Sequence, residues 1–150
     1  VKATLSRQSD LELDVEDTAN LTLGFAPAID GHQLICAVNL DFIRHDTTRL
    51  CTAIGESGSL RWNGITGEVA LYEVGAKEWC ELFSHPHQSD DSYRAEWKNF
   101  IACVTEHQMP LITGKDGLKV LQIIAASRNS AASGGLVSVT QAQLATKDNP

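Results

Sequence analysis

The chain has 150 residues, with 12 Lys and Arg against 19 Asp and Glu, which gives a formal net charge of −7. That length suits one domain with its own hydrophobic core, and a hydrophobic content of 43% is ordinary for a globular protein. The acidic balance offers no electrostatic footprint for nucleic acid. No apolar run approaches the roughly 20 residues that cross a bilayer. We therefore expect neither a nucleic-acid partner nor a membrane partner.

Alternating apolar and polar residues predict strands through most of the first ninety residues. Asp30-Gly31 and the segment 55–58 carry the turn chemistry of hairpins. In the third predicted strand one alternating set is apolar and the other is more polar, so one face should be core and the other semi-polar. The predicted strands are residues 1–6, 20–25, 34–43, 49–54, 59–62, 68–74 and 76–83.

Two helices follow, and the first is marked by a single apolar stripe at helical spacing. The stripe consists of Tyr93, Trp97, Phe100, Ile101 and Val104, and we expect it to be core. The helix must end before Pro110, because the proline ring clashes with the preceding turn.

The second helix should begin at a capping box made by Thr113 and Asp116 and end at a left-handed Gly134. Its wide apolar surface predicts a nearly buried helix, and residues 136–140 should form a closing strand. The apolar positions are Leu118, Val120, Leu121, Ile123, Ile124, Ala125 and Ala126.

Strands followed by a helix pair predict an α+β domain, with an open, mostly antiparallel or mixed sheet and the C-terminal helices packed on one face. The domain should span residues 1–140, and 141–150 should be a polar tail. The second face of the sheet must contact something, because a bare face of several strands would be an unusually large patch.

Cysteine usage indicates no metal or disulfide framework. The four cysteines, Cys36, Cys51, Cys80 and Cys103, form no C-x-x-C pair. We expect them to be buried and reduced, as in a cytoplasmic protein, although Cys36 and Cys51 could face each other across two strands.

The best metal candidate is His85-Pro86-His87, with Asp90 or Asp91 as a third ligand. The alternative, which we favour, is a solvated loop in which Asp90 or Asp91 caps the following helix. The segment 55–58 superficially matches a nucleophile elbow but lacks the final glycine, so the hairpin is preferred. Residues 114–117 open a helix where an anion could bind, but Asp116 would repel it.

A charged cluster between two predicted strands could face a substrate carboxylate or phosphate, since Arg forks match such groups. Its alternative is a solvated turn or a subunit contact, which we favour. Tyr93 could border a substrate, but its periodicity favours the core. The cluster consists of Asp41, Arg44, His45, Asp46 and Arg49. No residue is assigned a catalytic, cofactor-binding or metal role, and no substrate-binding residue is identified.

Motifs along nearly the whole chain resemble the C-terminal domain of the Gfo/Idh/MocA family of nicotinamide-dependent oxidoreductases. The segment 16–19 is similar to the family's "ED-x-A", and 49–62 to its "R-x-x-x-x-G-x-x-G-x-L-x-W" hairpin. The helical half matches the family at Tyr93, Glu96, Phe100, Pro110, Gly114, Asp116, Gly117, Leu118, Val120, Leu121, Ile123, Ile124, Ala125, Ala126 and Ser130.

The resemblance implies a division of labour within a longer parent protein. An N-terminal Rossmann domain would carry the dinucleotide loop, and an E-K-P lysine and a helix with Asp and His would complete the catalytic centre. Because the chain begins at Val1, where the family's first sheet strand would start, we expect these parts to lie upstream and this piece to be inactive.

The parent would use NAD or NADP on a sugar or polyol, in the cytoplasm. This domain would wall the substrate pocket and build a homodimer or larger oligomer through its sheet face. The alternative is a stand-alone, non-enzymatic ligand-binding or dimerisation module.

Overall fold

Seven strands and then two helices occur in residues 1–86 and 90–139, which are the residues that the structure, a computed structural model, describes. The α+β class is confirmed. The tail predicted for 141–150 lies outside the described residues. The elements are β1 (Lys2–Ser6), β2 (Thr18–Gly24), β3 (Ile35–Asp41), β4 (Leu50–Gly55), β5 (Gly58–Asn63), β6 (Glu68–Glu73), β7 (Cys80–Ser84), α1 (Asp91–Thr105) and α2 (Gly114–Ser133).

The strands are divided between two antiparallel sheets, in the orders β1-β2-β3 and β4-β5-β6-β7, where the sequence predicted one open sheet. Within each sheet, every strand pairs with the strand next to it in the chain. The chain accordingly forms two compact units. The first unit is Val1–Arg44 with the chain from Ile112 onward, and the second is His45–Leu111.

The core of the first unit lies between β1 and α2. Val1, Ala3 and Ala126 are buried together, and Leu21 and Leu23 of β2 pack against them. These strand residues belong to one alternating set, so one face of the sheet is turned to α2 and the other is not. The contrast between an apolar and a semi-polar face, predicted from the sequence, holds in this sheet.

The closing strand predicted for 136–140 is wrong for the part that is described. No regular strand is assigned to 136–139. Val137 nevertheless exchanges two backbone hydrogen bonds with Val1, at 2.7 and 2.9 Å, along the free edge of β1. Val137 thus continues the backbone pairing at the edge of β1, although residues 136–139 do not form a regular strand.

The predicted caps of α2 are confirmed. Thr113 and Asp116 form the reciprocal capping box, and Gly134 ends the helix with a φ of +66°. The predicted burial of α2 is wrong, because its buried residues are the small Ala126, Ser127 and Ser130. Its larger residues are exposed, namely Leu118, Val120, Leu121 and Ile124.

The second unit is a meander of hairpins. β4 and β5 form the hairpin predicted at 55–58, and Gly55 is opposite Gly58 across its two-residue turn. β6 and β7 pair with an irregularity beside Val69 and Ala70. The turn from β5 to β6 is organised by Asn63, whose Oδ1 accepts hydrogen bonds from the amides of Ile65 and Thr66 at 2.9 and 3.2 Å.

The helix predicted around Trp97 is present as α1, but the expectation that its apolar stripe is core is wrong. No residue of α1 is buried, and Trp97 is 64% exposed. Tyr93, also expected in the core, is 66% exposed. Periodicity identifies which face is apolar, whereas burial depends on whether another element covers that face.

The composition led us to expect buried cysteines and no membrane-spanning segment. The cysteines are free, and Cys51 and Cys80 are exposed rather than buried as expected. In the described part of the chain, neither helix combines the length and apolar character that a membrane span requires.

Candidate functional site

The polar face of the second sheet is built from two adjacent cross-strand rows. Directly opposed residues of antiparallel strands share a face. Leu50, Asn63 and Glu68 form one row across β4, β5 and β6. Thr52, Arg61 and Ala70 form the next row, which Glu81 of β7 continues. Ala70 is only 1% exposed, so a small buried residue lies between longer polar side chains.

The guanidinium of Arg61 lies over an aromatic ring on this face. Its guanidinium carbon lies 4.3 Å from the ring centroid of Trp79. Trp79 in turn makes an edge contact with Tyr72, whose hydroxyl donates to the carbonyl of Ala76 at 2.7 Å. Stacking uses the face of the guanidinium and leaves its in-plane N–H groups able to donate.

Two shallow depressions adjoin one another on this face. The first, of about 240 Å³, is lined by Leu50, Arg61, Asn63 and Glu68. The second, of about 180 Å³, shares two of these residues and reaches Arg49. We call the two together the β4–β6 groove. Its lining residues are Thr47, Thr48, Arg49, Leu50, Arg61, Asn63, Ile65, Thr66 and Glu68.

Gly64 makes room for Arg49 at one end of the groove. A Cβ at Gly64 would overlap the aliphatic stem of Arg49 and would lie 2.9 Å from the ring of Trp62. The amide of Gly64 also donates to the carbonyl of Arg49 at 2.7 Å. The glycine thus allows the hairpin end and the arginine stem to approach closely.

The charged side chains of the groove offer hydrogen-bond donors and acceptors that form no ion pair within the described residues. Among the described residues, neither Arg49 nor Arg61 has a carboxylate partner, and Glu68 has no cationic one. Asn63 uses its oxygen in the turn, which leaves its amide nitrogen as a donor. Such a set can bind a small polar molecule. Nothing in it pairs a nucleophile with a base.

The helix N-termini of the described residues do not fit the pyrophosphate of a nicotinamide dinucleotide. The Asp116 carboxylate accepts from the Thr113 hydroxyl at 2.7 Å and from the Thr113 amide at 3.0 Å. These hydrogen bonds, the hydroxyl one first, lower the pKa of Asp116, so α2 begins with a negative charge. α1 begins at Asp91 after Asp90. A pyrophosphate would be repelled at both ends.

Of the residues proposed as metal ligands, the structure brings His85 close to Asp91. Nε2 of His85 lies 3.8 Å from Oδ2 of Asp91, and the ring stacks on Phe83. The described residues hold no group of three potential ligands. His87, the other half of the candidate, lies outside the described residues.

The charged cluster at 41–49 is divided between the two units. Asp41 accepts from the amide of Arg44 at 2.9 Å and lies 3.9 Å from its side chain, within the first unit. In the second unit Asp46 accepts from the Thr48 hydroxyl, and only Arg49 reaches the groove.

Sequence reasoning missed Arg61, Asn63 and Glu68, which complete the groove. The signal was present in the alternation along β5, where polar residues 59, 61 and 63 alternate with Leu60 and Trp62. Which neighbours these residues would meet depends on the register with β4 and β6.

The family model described as "Oxidoreductase family, C-terminal alpha/beta domain", of Gfo/Idh/MocA type, matches residues 1–139. The chain belongs to this family. The resemblance drawn from the motifs is therefore confirmed, and it concerns the C-terminal domain. No curated protein matches this oxidoreductase domain.

Two solved structures are similar to this oxidoreductase domain. A Thermotoga maritima oxidoreductase is 17% identical with a TM-score of 0.67, over 91% of this chain and 39% of its own. An Agrobacterium radiobacter oxidoreductase, solved with NAD+, L-tartaric acid and magnesium, is 19% identical with a TM-score of 0.68. That match covers 93% of this chain and 42% of the other. The chain thus spans about two fifths of the structures it matches, and the likeness shows the fold.

Proposed function

We propose that this chain is the substrate-pocket and oligomerisation domain of a longer, cytoplasmic NAD(P)-dependent oxidoreductase that acts on a sugar or polyol. The observation that carries the proposal is the family match over residues 1–139. It is supported by the Agrobacterium radiobacter neighbour, which was solved with NAD+ and is much longer than this chain.

In this proposal the dinucleotide belongs to a Rossmann domain elsewhere in the parent. The acidic helix N-termini of the described residues support that division, because they would repel a pyrophosphate. The isolated chain is then inactive. It walls the substrate and associates with further copies.

The test compares the 150 residues with the full parent protein. Calorimetry with NAD+, NADH, NADP+ and NADPH at micromolar to millimolar concentration should give no binding to the isolated chain and clear binding to the parent. The parent should reduce the cofactor in the presence of sugars or polyols. Micromolar binding of a dinucleotide by the 150 residues alone would overturn this division of labour.

A second candidate function is a stand-alone binding or dimerisation module. It is favoured by the exposed apolar stripe of α1, where Trp97 and Phe100 contact each other edge to face at 5.7 Å and both stay exposed. An open reading frame that begins immediately before Val1 would favour this candidate. A frame that continues upstream into a dinucleotide-binding sequence would favour the oxidoreductase.

A further inference from the structure

We propose that the β4–β6 groove binds a small carboxylate that also carries hydroxyl groups. The inference concerns the second unit alone. It does not depend on the parent's reaction, and its test uses the isolated chain.

The carboxylate half of the ligand is recognised by Arg61. Its guanidinium lies over the ring of Trp79, a contact that restricts its motion. A planar guanidinium presents N–H groups that match the two oxygens of a carboxylate. Arg49 adds a second positive charge at the adjoining depression, which shares Leu50 and Asn63 with the first.

The hydroxyl groups of the ligand are recognised by Glu68 and Asn63. Glu68 faces the same depression as Arg61 and lies directly opposite Asn63. A carboxylate side chain repels a simple anion, but it accepts a hydrogen bond from a hydroxyl group. Glu81 lies on the same face, in the cross-strand row of Arg61 and Ala70. The groove therefore discriminates against a bare anion and in favour of one with hydroxyls.

The remaining lining fits a short polar chain. Leu50 provides an apolar surface for C–H groups, and Thr66 lines the same depression as Arg49. The first depression, at about 240 Å³, has room for only a small molecule.

The test uses three probes that separate the two halves of the ligand. D-gluconate carries both groups, acetate only the carboxylate, and D-glucose only hydroxyls. Titration of the isolated chain, followed by amide NMR shifts, should show gluconate binding with changes at Arg61, Asn63 and Glu68. Acetate and glucose should bind at least about tenfold more weakly. Equal binding of gluconate and acetate, or shifts confined to other residues, would overturn the proposal.

Two variants and one control make the result specific. Arg61→Gln should weaken gluconate binding about tenfold or more, while Arg94→Gln, an equal loss of charge on α1, should leave it unchanged. Glu68→Ala should weaken gluconate but strengthen acetate, because it removes a hydroxyl acceptor and a repelling charge together. Misfolding cannot produce that reversal. Identical losses of gluconate affinity in the Arg61 and Arg94 variants would show that binding depends only on net charge. The assignment of the ligand to the β4–β6 groove would then be wrong.

Discussion

Asp17 shows how one buried carboxylate can organise a polar segment. It is 2% exposed and accepts from the amides of Gln8 and Ser9 at 2.8 to 3.0 Å and from the hydroxyls of Ser9 and Thr18 at 2.7 and 3.0 Å. These donors, the Ser9 hydroxyl first, lower the pKa of Asp17 to about 2 from 3.8. The acidic segment between β1 and β2 is thus held at its start by a residue at its end.

The lowered pKa of Asp17 predicts an acid-sensitive fold. Because the native state prefers the charged carboxylate, the stabilisation is complete above the unfolded pKa of 3.8 and is lost as the pH falls through about 2. Asp17→Asn replaces an acceptor with a donor, so it should lower the melting temperature by several degrees at pH 7. It should also flatten the loss of stability between pH 5 and pH 2.

Thermal unfolding followed by circular dichroism at stepped pH measures both effects of the Asp17 substitution. The exposed Asp14, changed to Asn, is the matched control and should behave like the wild type. A wild-type melting temperature that stays constant from pH 5 to pH 2 would contradict the assigned role of Asp17.

Ser130 is a second residue whose hydroxyl joins two parts of the first unit. It accepts from the amide of Ala3 at 2.9 Å and donates to the carbonyl of Gly135 at 2.6 Å, and it is fully buried. Ser130→Ala leaves both backbone groups without this partner, so unfolding free energy should fall by about 2 kcal/mol.

Urea denaturation of Ser130→Ala and Ser127→Ala separates this linkage from simple loss of a buried hydroxyl. Ser127 is also buried, but its hydroxyl donates only to Ile123 one turn earlier in α2. The Ser127 variant should therefore lose much less stability. Similar midpoints for the two variants would show that the contact with β1 contributes nothing.

At the scale of elements, the turn between β5 and β6 depends on a glycine that also approaches another segment. Gly67 has a φ of +74°, and a Cβ there would overlap the carbonyl oxygen of His85. Its own carbonyl accepts from the amide of His85 at 3.2 Å. Gly67→Ala should therefore cost both backbone strain and this contact, and lower unfolding free energy by more than about 1 kcal/mol.

Gly31 provides the control for the turn prediction. Its φ is +85°, yet a Cβ there would meet nothing within 4 Å. Gly31→Ala should show the strain alone, about 1 kcal/mol, when both variants are compared by chemical denaturation. Equal destabilisation of the two variants would mean that the close contact between Gly67 and the backbone of His85 contributes nothing to stability.

The elements that were predicted well are those specified by local chemistry. The capping box at Thr113, the left-handed Gly134 and the hairpin at 55–58 each rest on a few neighbouring residues, and the structure contains all three. Burial was predicted poorly, because exposure of Trp97 or Leu121 is decided by distant parts of the chain. The groove was missed for the same reason. Arg61 and Glu68 meet only through the register of β5 with β6.

At the scale of the whole molecule, much apolar surface remains exposed in the described residues, on α1, on α2 and on the strands. Soluble monomers rarely leave large contiguous patches uncovered. The face of β1–β3 turned away from the core is semi-polar, with Thr22 between Lys2 and Ala37 in one cross-strand row. A semi-polar sheet face can form a two-fold interface between identical copies, in which the same patch is used on both subunits.

The isolated chain should therefore associate with itself through this face. Light scattering at tens of micromolar should give at least twice the chain mass of 16.3 kDa. Thr22→Lys places like charges opposite each other near a two-fold axis, so it should shift the protein toward the monomer. Ala95→Lys adds the same charge on α1, on the side opposite its apolar stripe, and should leave association unchanged. A wild-type monomer would contradict self-association itself, whereas a fully associated Thr22 variant would move the interface to another surface.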